Sequence, residues 1–436
     1  MLTPRKYLSA TGLLSIARKS FSRVSDRQLS QECQRTPTIA LVDCLMSGLA
    51  VFSLKWPSLL QFDNEVKRLT IEHNIKTLYA VQAIPSDTQM RTRLDVIDPP
   101  LLRKAFNSIF AMAQRGKVLE EYVYYEGHYL LSLDGTGQYH SEKVHCENCC
   151  VKRHRNGKIS YYHQMLGAVI VHPKRKIVIP LAPEPITKQD GATKNDCERN
   201  AAKRLLTQIR TEHPHLKCII VEDALSSNAP HIELIRSLNM RFILGVKPDD
   251  HKYLFDWVKH SNCTEHEEID IQGIKHRYRF INNVPLNEAR EDVQVNFLEY
   301  WEEKPNGKIQ HFSWVTDMAL HQHNLKHIMR GGRARWKIEN ETFNTLKNQG
   351  YHFEHNYGHG TKNLCSVFTM LMMLAFLIDQ VQELCCALYK GARLTRLKIN
   401  FFAEIRFLFR YHDWSHWVDL FTTMININNR TRSPPS

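Results

Sequence analysis

Apolar and polar positions along this chain change their repeat several times, and each change marks a different kind of element. From residue 36 to 128 the apolar positions recur at helical spacing. Ile39, Leu41, Val42, Leu45 and Leu49 form one stripe that Thr38 can cap, and Asp98-Pro99-Pro100 opens another through Leu102, Phe106, Ile109 and Phe110. Between them, residues 75–84 and 86–97 read as two short helices joined at Pro85. That pair fits a helix-turn-helix offering Thr88, Gln89, Arg91 and Arg93 to a DNA groove, and it also fits two ordinary packed helices.

At Tyr129 the repeat becomes strand-like. Residues 129–133, 167–171 and 176–181 predict three strands, followed by a helix over 195–211, a strand over 217–221, a helix over 230–238 and a strand over 241–244. Residues 246–328 stay strand-like but polar, with strands expected at 268–271, 277–281, 293–300 and 309–315, so they read as a β-rich insertion. Helical spacing returns at 329–350, and apolar helices fill 351–429. Residues 430–436 read as a disordered tail.

Composition adds one strong signal. The 58 Lys+Arg against 45 Asp+Glu leave a net charge of +13, which suits a polyanionic partner such as DNA. Arg5, Lys6, Arg18, Lys19 and Arg23, with no acid in the first 25 residues, make 1–35 a candidate basic arm facing that partner. Eleven Cys without a disulfide-like framework favour a reducing cytoplasm. The longest uncharged stretch, 364–378, is short for a membrane span and reads as a core helix, so no membrane is expected.

The strand and helix order over 129–245 is that of a ribonuclease-H-like α/β core, in which the ends of the first and fourth strands share one edge of the sheet. Asp134 and Asp223 occupy those two places. Strand ends also collect turn-forming Asp residues, so each has an ordinary explanation as well. Glu222 precedes Asp223 and is expected to face the opposite side. Residues 333–347, RARWKIENETFNTLK, then read as one amphipathic helix with Trp336 and Phe343 on one side and Arg335, Glu339 and Lys347 on a neighbouring stripe. Glu341 lies about 200° around the helix from Glu339, so the two cannot share a site.

The order Arg335, Glu339, Lys347 resembles the Tyr-Arg-Glu-Lys signature of bacterial insertion-sequence transposases of the insertion-sequence-four superfamily. Gly332 stands where that signature has Tyr, and Lys347 comes one residue later than the commonest spacing. The resemblance implies a DDE transposase with a ribonuclease-H-like catalytic core, a β-rich insertion, a helical N-terminal domain and a helical C-terminal region. It implies Asp134, Asp223 and Glu339 as catalytic metal ligands, with Arg335 and Lys347 on DNA phosphates. It also implies double-stranded DNA as partner, a homodimer on paired DNA ends, and a bacterial, nucleoid-associated setting. Carboxylate ligands without thiolate or imidazole favour two Mg²⁺ or Mn²⁺ ions, about 3.5–4 Å apart in sites of this kind. Two other functions share these residues: a transposase-derived DNA-binding protein without catalysis, and a nuclease that cuts without strand transfer.

A second cluster follows Asp134. Cys146-x-x-Cys149 with His145 and His163 is a candidate structural zinc site, the alternative being reduced thiols in a loop.

Overall fold

The computed structural model describes residues 4–24, 39–191, 194–394 and 396–430. The reading of Thr38 as a cap, part of the proposed arm and the tail beyond Arg430 lie outside these residues. The first helix, α1 (Ala10–Phe21), corrects the expectation of a basic arm: Leu13, Leu14, Ala17 and Phe21 are buried, and Arg18 pairs with Asp43 at 3.0 Å. Its charges occupy only the outer face of an amphipathic helix, which a charge count alone cannot distinguish from an extended arm.

Helices α2 (Leu41–Ser53), α3 (Leu59–Glu65), α4 (Leu69–Leu78), α5 (Asp87–Asp95) and α6 (Arg103–Arg115) complete the N-terminal part. The candidate helix-turn-helix becomes α4 and α5, separated by a longer connection than the tight joint expected at Pro85. Gln89 is used in a capping box with Ser86, Arg91 is paired to Asp87 at 2.5 Å, and Met90 and Leu94 are buried. The groove-reading residues of α5 are thus largely committed within the fold.

A 12-stranded mixed sheet runs through the centre. Its hub is β2 (His128–Ser141), which β1 (Val123–Tyr125) joins through a hairpin. Outside β2 lies antiparallel β4 (Ile159–Val171), flanked by β3 (Cys150–Arg153), β5 (Ile179–Pro180) and β6 (Glu184–Ile186). On the other side, β7 (Cys218–Glu222) and β8 (Arg241–Gly245) are parallel to β2, as their crossover helices α7 (Lys194–Glu212) and α8 (Ala229–Ser237) require. β7 is buried along its whole length, which explains its continuous apolar run.

The region 246–328 differs from the expected all-β piece. It begins with a helix, α9 (Lys252–His260), whose buried contacts are mainly Leu254 and Val258. β9 (Thr264–Ile269), β10 (Lys275–Pro285), β11 (Gln294–Glu303) and β12 (Ile309–Thr316) follow as an antiparallel meander. β12 pairs directly with β8, so these strands extend the central sheet instead of forming a separate one.

The chain then returns through α10 (Leu325–Arg333), a π-helical segment Ile338–Phe343 and α11 (Asn344–Asn348). α12 (Leu364–Cys385) is long and apolar enough to cross a membrane, yet its apolar window is wholly buried by the surrounding protein. It is longer than the apolar stretch suggested because Asp379, Gln380 and Gln382 continue it inside the core. α13 (Ala387–Arg393), α14 (Lys398–Tyr411) and α15 (Trp417–Arg430) close the C-terminal part.

Candidate functional site

β2 does not stop at Leu133. It pairs with β4 through Asp134–Gly167 and onward to Ser141, so the Asp-Gly-Thr sequence that looked like a turn lies inside a strand. Pairing with β7 does stop, at Ser132–Val221. Two residues beyond that last pair along each chain come Asp134 and Asp223. Both line one small cavity, together with Glu198 and His231. Asp223 also behaves as an ordinary turn residue, accepting from Leu225 N at 3.0 Å to cap a short 3-10 turn. Glu222 lines the same cavity, and its carboxylate meets His231 Nε2 at 2.6 Å in a buried pair.

The segment carrying Glu339 is not one regular helix. At Gly332 the backbone lies against the Trp314 indole so closely that a Cβ would come within 2.3 Å of Nε1. The chain turns at Ala334 and resumes in π geometry, a form often found at functional sites. The changed helical phase separates Trp336, which is exposed, from Phe343, which is buried, overturning the expectation that they share a side. Phe343 packs over Gly167, the residue opposite Asp134, where a Cβ would meet its ring at 3.2 Å. Ser132, on the same face of β2 as Asp134, donates its hydroxyl to the Arg335 carbonyl at 3.2 Å.

These contacts bring the Glu339 segment onto β2 and β4. Arg335 Nη1 lies 2.7 Å from Glu339 and 3.4 Å from Asp134, bridging the carboxylates. Burial pushes the Asp134 carboxyl up to about 7, with the Glu339 and Glu198 carboxylates adding to the shift against the pull of Arg335. Asp223 lines an adjoining cleft of about 530 Å³ with Arg335, Trp336 and Trp314. The Glu341 carboxylate acts electrostatically on Lys337 and Lys398. Lys347 pairs with Glu354 at 2.7 Å on the following loop.

The second candidate site is real in outline but different in membership. Cys146, Cys149 and His163 converge, and their fourth neighbour is His359, not His145. His145 is exposed and stacks on Tyr161 at 4.1 Å between ring centroids, because its position before Cys146 turns it outward. Hydrogen bonds from Cys149, His163 and His359 hold the Cys146 thiol down at about 2, against the effect of burial. The four donor atoms all lie within 4.8 Å of one another and could hold a metal such as zinc. His359 was out of reach of local reading, since 196 residues separate it from His163. Glu198, whose carboxylate would meet a Cβ on Gly135 at 3.1 Å, was hidden for the same reason.

No protein-family model matches the chain, and no curated protein matches it.

Proposed function

We propose that this chain is a metal-dependent DNA transposase whose catalytic acids are Asp134, Asp223 and Glu339. The observation that carries the reading is that Arg335 links Asp134 to Glu339, from a distant π-helical segment, while Asp134 and Asp223 line one small cavity. The strand order β4-β2-β7-β8, with β4 antiparallel and the others parallel, supports a ribonuclease-H-like core around them. The net charge of +13 supports a double-stranded DNA partner.

The donor set fits hard divalent ions. Asp134 and Glu339 share Arg335 between them and Asp223 lines the same cavity as Asp134; burial raises the Asp134 carboxyl, with the Glu339 and Glu198 carboxylates adding to the shift. Asp134, Asp223 and Glu339 would hold the ions. Bound Mg²⁺ or Mn²⁺ would supply water activation and charge neutralisation at the phosphoryl oxygens. Arg335, released from the acids, and Lys347, released from Glu354, would grip flanking phosphates. Water adds to phosphorus as the bond to the 3′ oxygen breaks, and that oxygen leaves with a proton as a 3′-OH. The 3′-OH then attacks a target phosphodiester, its oxygen bonding to phosphorus as the target strand's own 3′ oxygen leaves and takes up the proton as a 3′-OH, within a homodimer holding both ends.

The test is incubation of duplexes carrying the element ends with Mg²⁺. Cleavage and joining that vanish in Asp134→Ala, Asp223→Ala and Glu339→Ala support the reading. Cleavage without joining identifies a nuclease, and tight binding without cleavage identifies a DNA-binding protein that has lost catalysis.

A further inference from the structure

We propose that Cys146, Cys149, His163 and His359 hold one structural zinc ion, and that this ion clasps the β2–β4 ribbon to the loop that follows the Glu339 segment. The cluster is defined by its own donor atoms and does not rest on the transposase reading.

Zinc–thiolate bonds of about 2.3 Å and zinc–imidazole bonds of about 2.0–2.1 Å, set tetrahedrally, give edges of about 3.8 Å between sulfurs, 3.5 Å between sulfur and nitrogen, and 3.3 Å between nitrogens. The sulfurs of Cys146 and Cys149 are 3.9 Å apart. His163 Nε2 lies 3.4 Å from Cys146 and 3.3 Å from Cys149, and His359 Nε2 lies 3.2 Å from Cys149. The two Nε2 atoms are 3.1 Å apart. Each measured edge is within a few tenths of an ångström of the tetrahedral value, and a central cation would satisfy all four donors at once.

The surroundings match a closed structural site. Cys149, His163 and His359 are buried, leaving little access for an exchangeable fifth ligand. His359 Nδ1 lies 2.8 Å from the Gly360 carbonyl, and a hydrogen bond donated there presents the Nε2 lone pair to the cluster. The Cys146–Cys149 turn is tight, with Cys149 N donating to Cys146 O at 3.2 Å and Cys146 N donating to the Cys149 sulfur at 3.5 Å.

What the site joins gives it a role. Cys146 and Cys149 follow the strand that carries Asp134, His163 lies on β4 opposite Tyr139, and His359 lies in the loop between α11 and α12. Other ties cross the same junction: Asn148 Nδ2 donates to the Lys362 carbonyl at 3.3 Å and to Asn363 Oδ1 at 3.5 Å, Gln138 Nε2 lies 3.7 Å from Cys365 Sγ, and the Tyr139 ring packs on the His359 ring, while Asp95 gathers the backbone N–H groups of Thr361 through Leu364. The ion would therefore fix, from the far end, the loop whose other end continues the Glu339 segment.

The test uses the full-length protein, purified without chelators from zinc-supplemented cells. Elemental analysis is expected to give about one zinc per chain. Replacement by Co²⁺ should produce the intense visible bands of a tetrahedral thiolate–imidazole site. Cys149→Ser and His359→Ala should lower zinc affinity by at least about tenfold, whereas His145→Ala retains the metal. Because the ligand variants could misfold, hydrogen exchange on chelated wild-type protein supplies a second readout. Protection of residues 142–150 and 351–363 should fall together while β9 to β12 keep theirs. Absence of zinc, with Cys146 and Cys149 recovered as thiols or as a disulfide, overturns the proposal. So does undiminished zinc binding by His359→Ala. Neither readout involves DNA, so this proposal and the transposase reading stand or fall separately.

Discussion

The guanidinium of Arg335 lies 3.4 Å from the Asp134 carboxylate, so a cation from the protein itself stands between Asp134 and Glu339. A divalent ion entering the site must displace both that cation and the proton that Asp134 retains near pH 7. Mg²⁺ affinity is therefore expected to rise about tenfold per pH unit below 7 and to level off above it. Titration calorimetry in buffers of different ionisation enthalpy measures the released proton, and an affinity flat across that range contradicts the assignment. The same shift has a consequence for stability. The native carboxyl keeps its proton where the unfolded one, near pH 4, has lost it, so metal-free protein loses stability as pH rises from about 4 to 7. Asp134→Asn should then be more stable than wild type at pH 8 without metal, by about 1–2 kcal/mol.

In the cavity beside Asp134 and Asp223, burial alone would lower the His231 pKa, but the Glu222 carboxylate outweighs it and raises it. Stability from this pair is complete below the unfolded histidine value of about 6.5 and is lost as pH climbs through the raised native value. Glu222→Gln should cost about 1–3 kcal/mol at pH 6 and flatten this dependence. Denaturant midpoints across the neutral range provide the comparison.

Lys55 reaches Asp379 at 2.6 Å inside the helical part, and Tyr351 donates to the same carboxylate at 2.5 Å. Burial pulls the Lys55 ammonium down to about 8 despite that partner. Asp379→Ala leaves the ammonium uncompensated and should cost about 3–5 kcal/mol, whereas Lys55→Met combined with Asp379→Leu should recover much of the loss. Thermal unfolding of the three variants distinguishes a needed charge pair from a replaceable one.

Gly332 sits where the transposase signature carries Tyr, and the indole of Trp314 occupies the space a side chain there would need. Gly332→Ala should destabilise by about 1–3 kcal/mol through overpacking, and Gly332→Tyr should yield little soluble protein. An Ala variant unfolding at the wild-type denaturant concentration would mean that the indole moves aside easily.

Local pattern made the apolar strands and helices legible because burial imposes their period directly. β7 and α12 were visible for this reason. The signal failed where two causes produce one pattern. Asp134-Gly135-Thr136 looks like a turn, yet β4 supplies a ladder partner beyond it; the charges of α1 look like an arm, yet they ride on a buried face. The phase break after Gly332 was invisible because its cause, Trp314, approaches from another strand. His359 likewise joins its cluster only through tertiary folding, and no spacing rule reaches across 196 residues.

The bonding of β12 to β8 through Trp314–Gly245, Val315–Leu244 and Thr316–Ile243 carries a mechanical implication. The ladder continues from the acidic edge out to β9, with one break in register between Ile281 and Val284 of β10, so the meander is tied to the core through the sheet. In the proposed role, a duplex spanning both regions would meet a stiff, twisted platform and would itself have to supply the curvature. Discrimination among DNA sites would then depend partly on how cheaply each sequence bends.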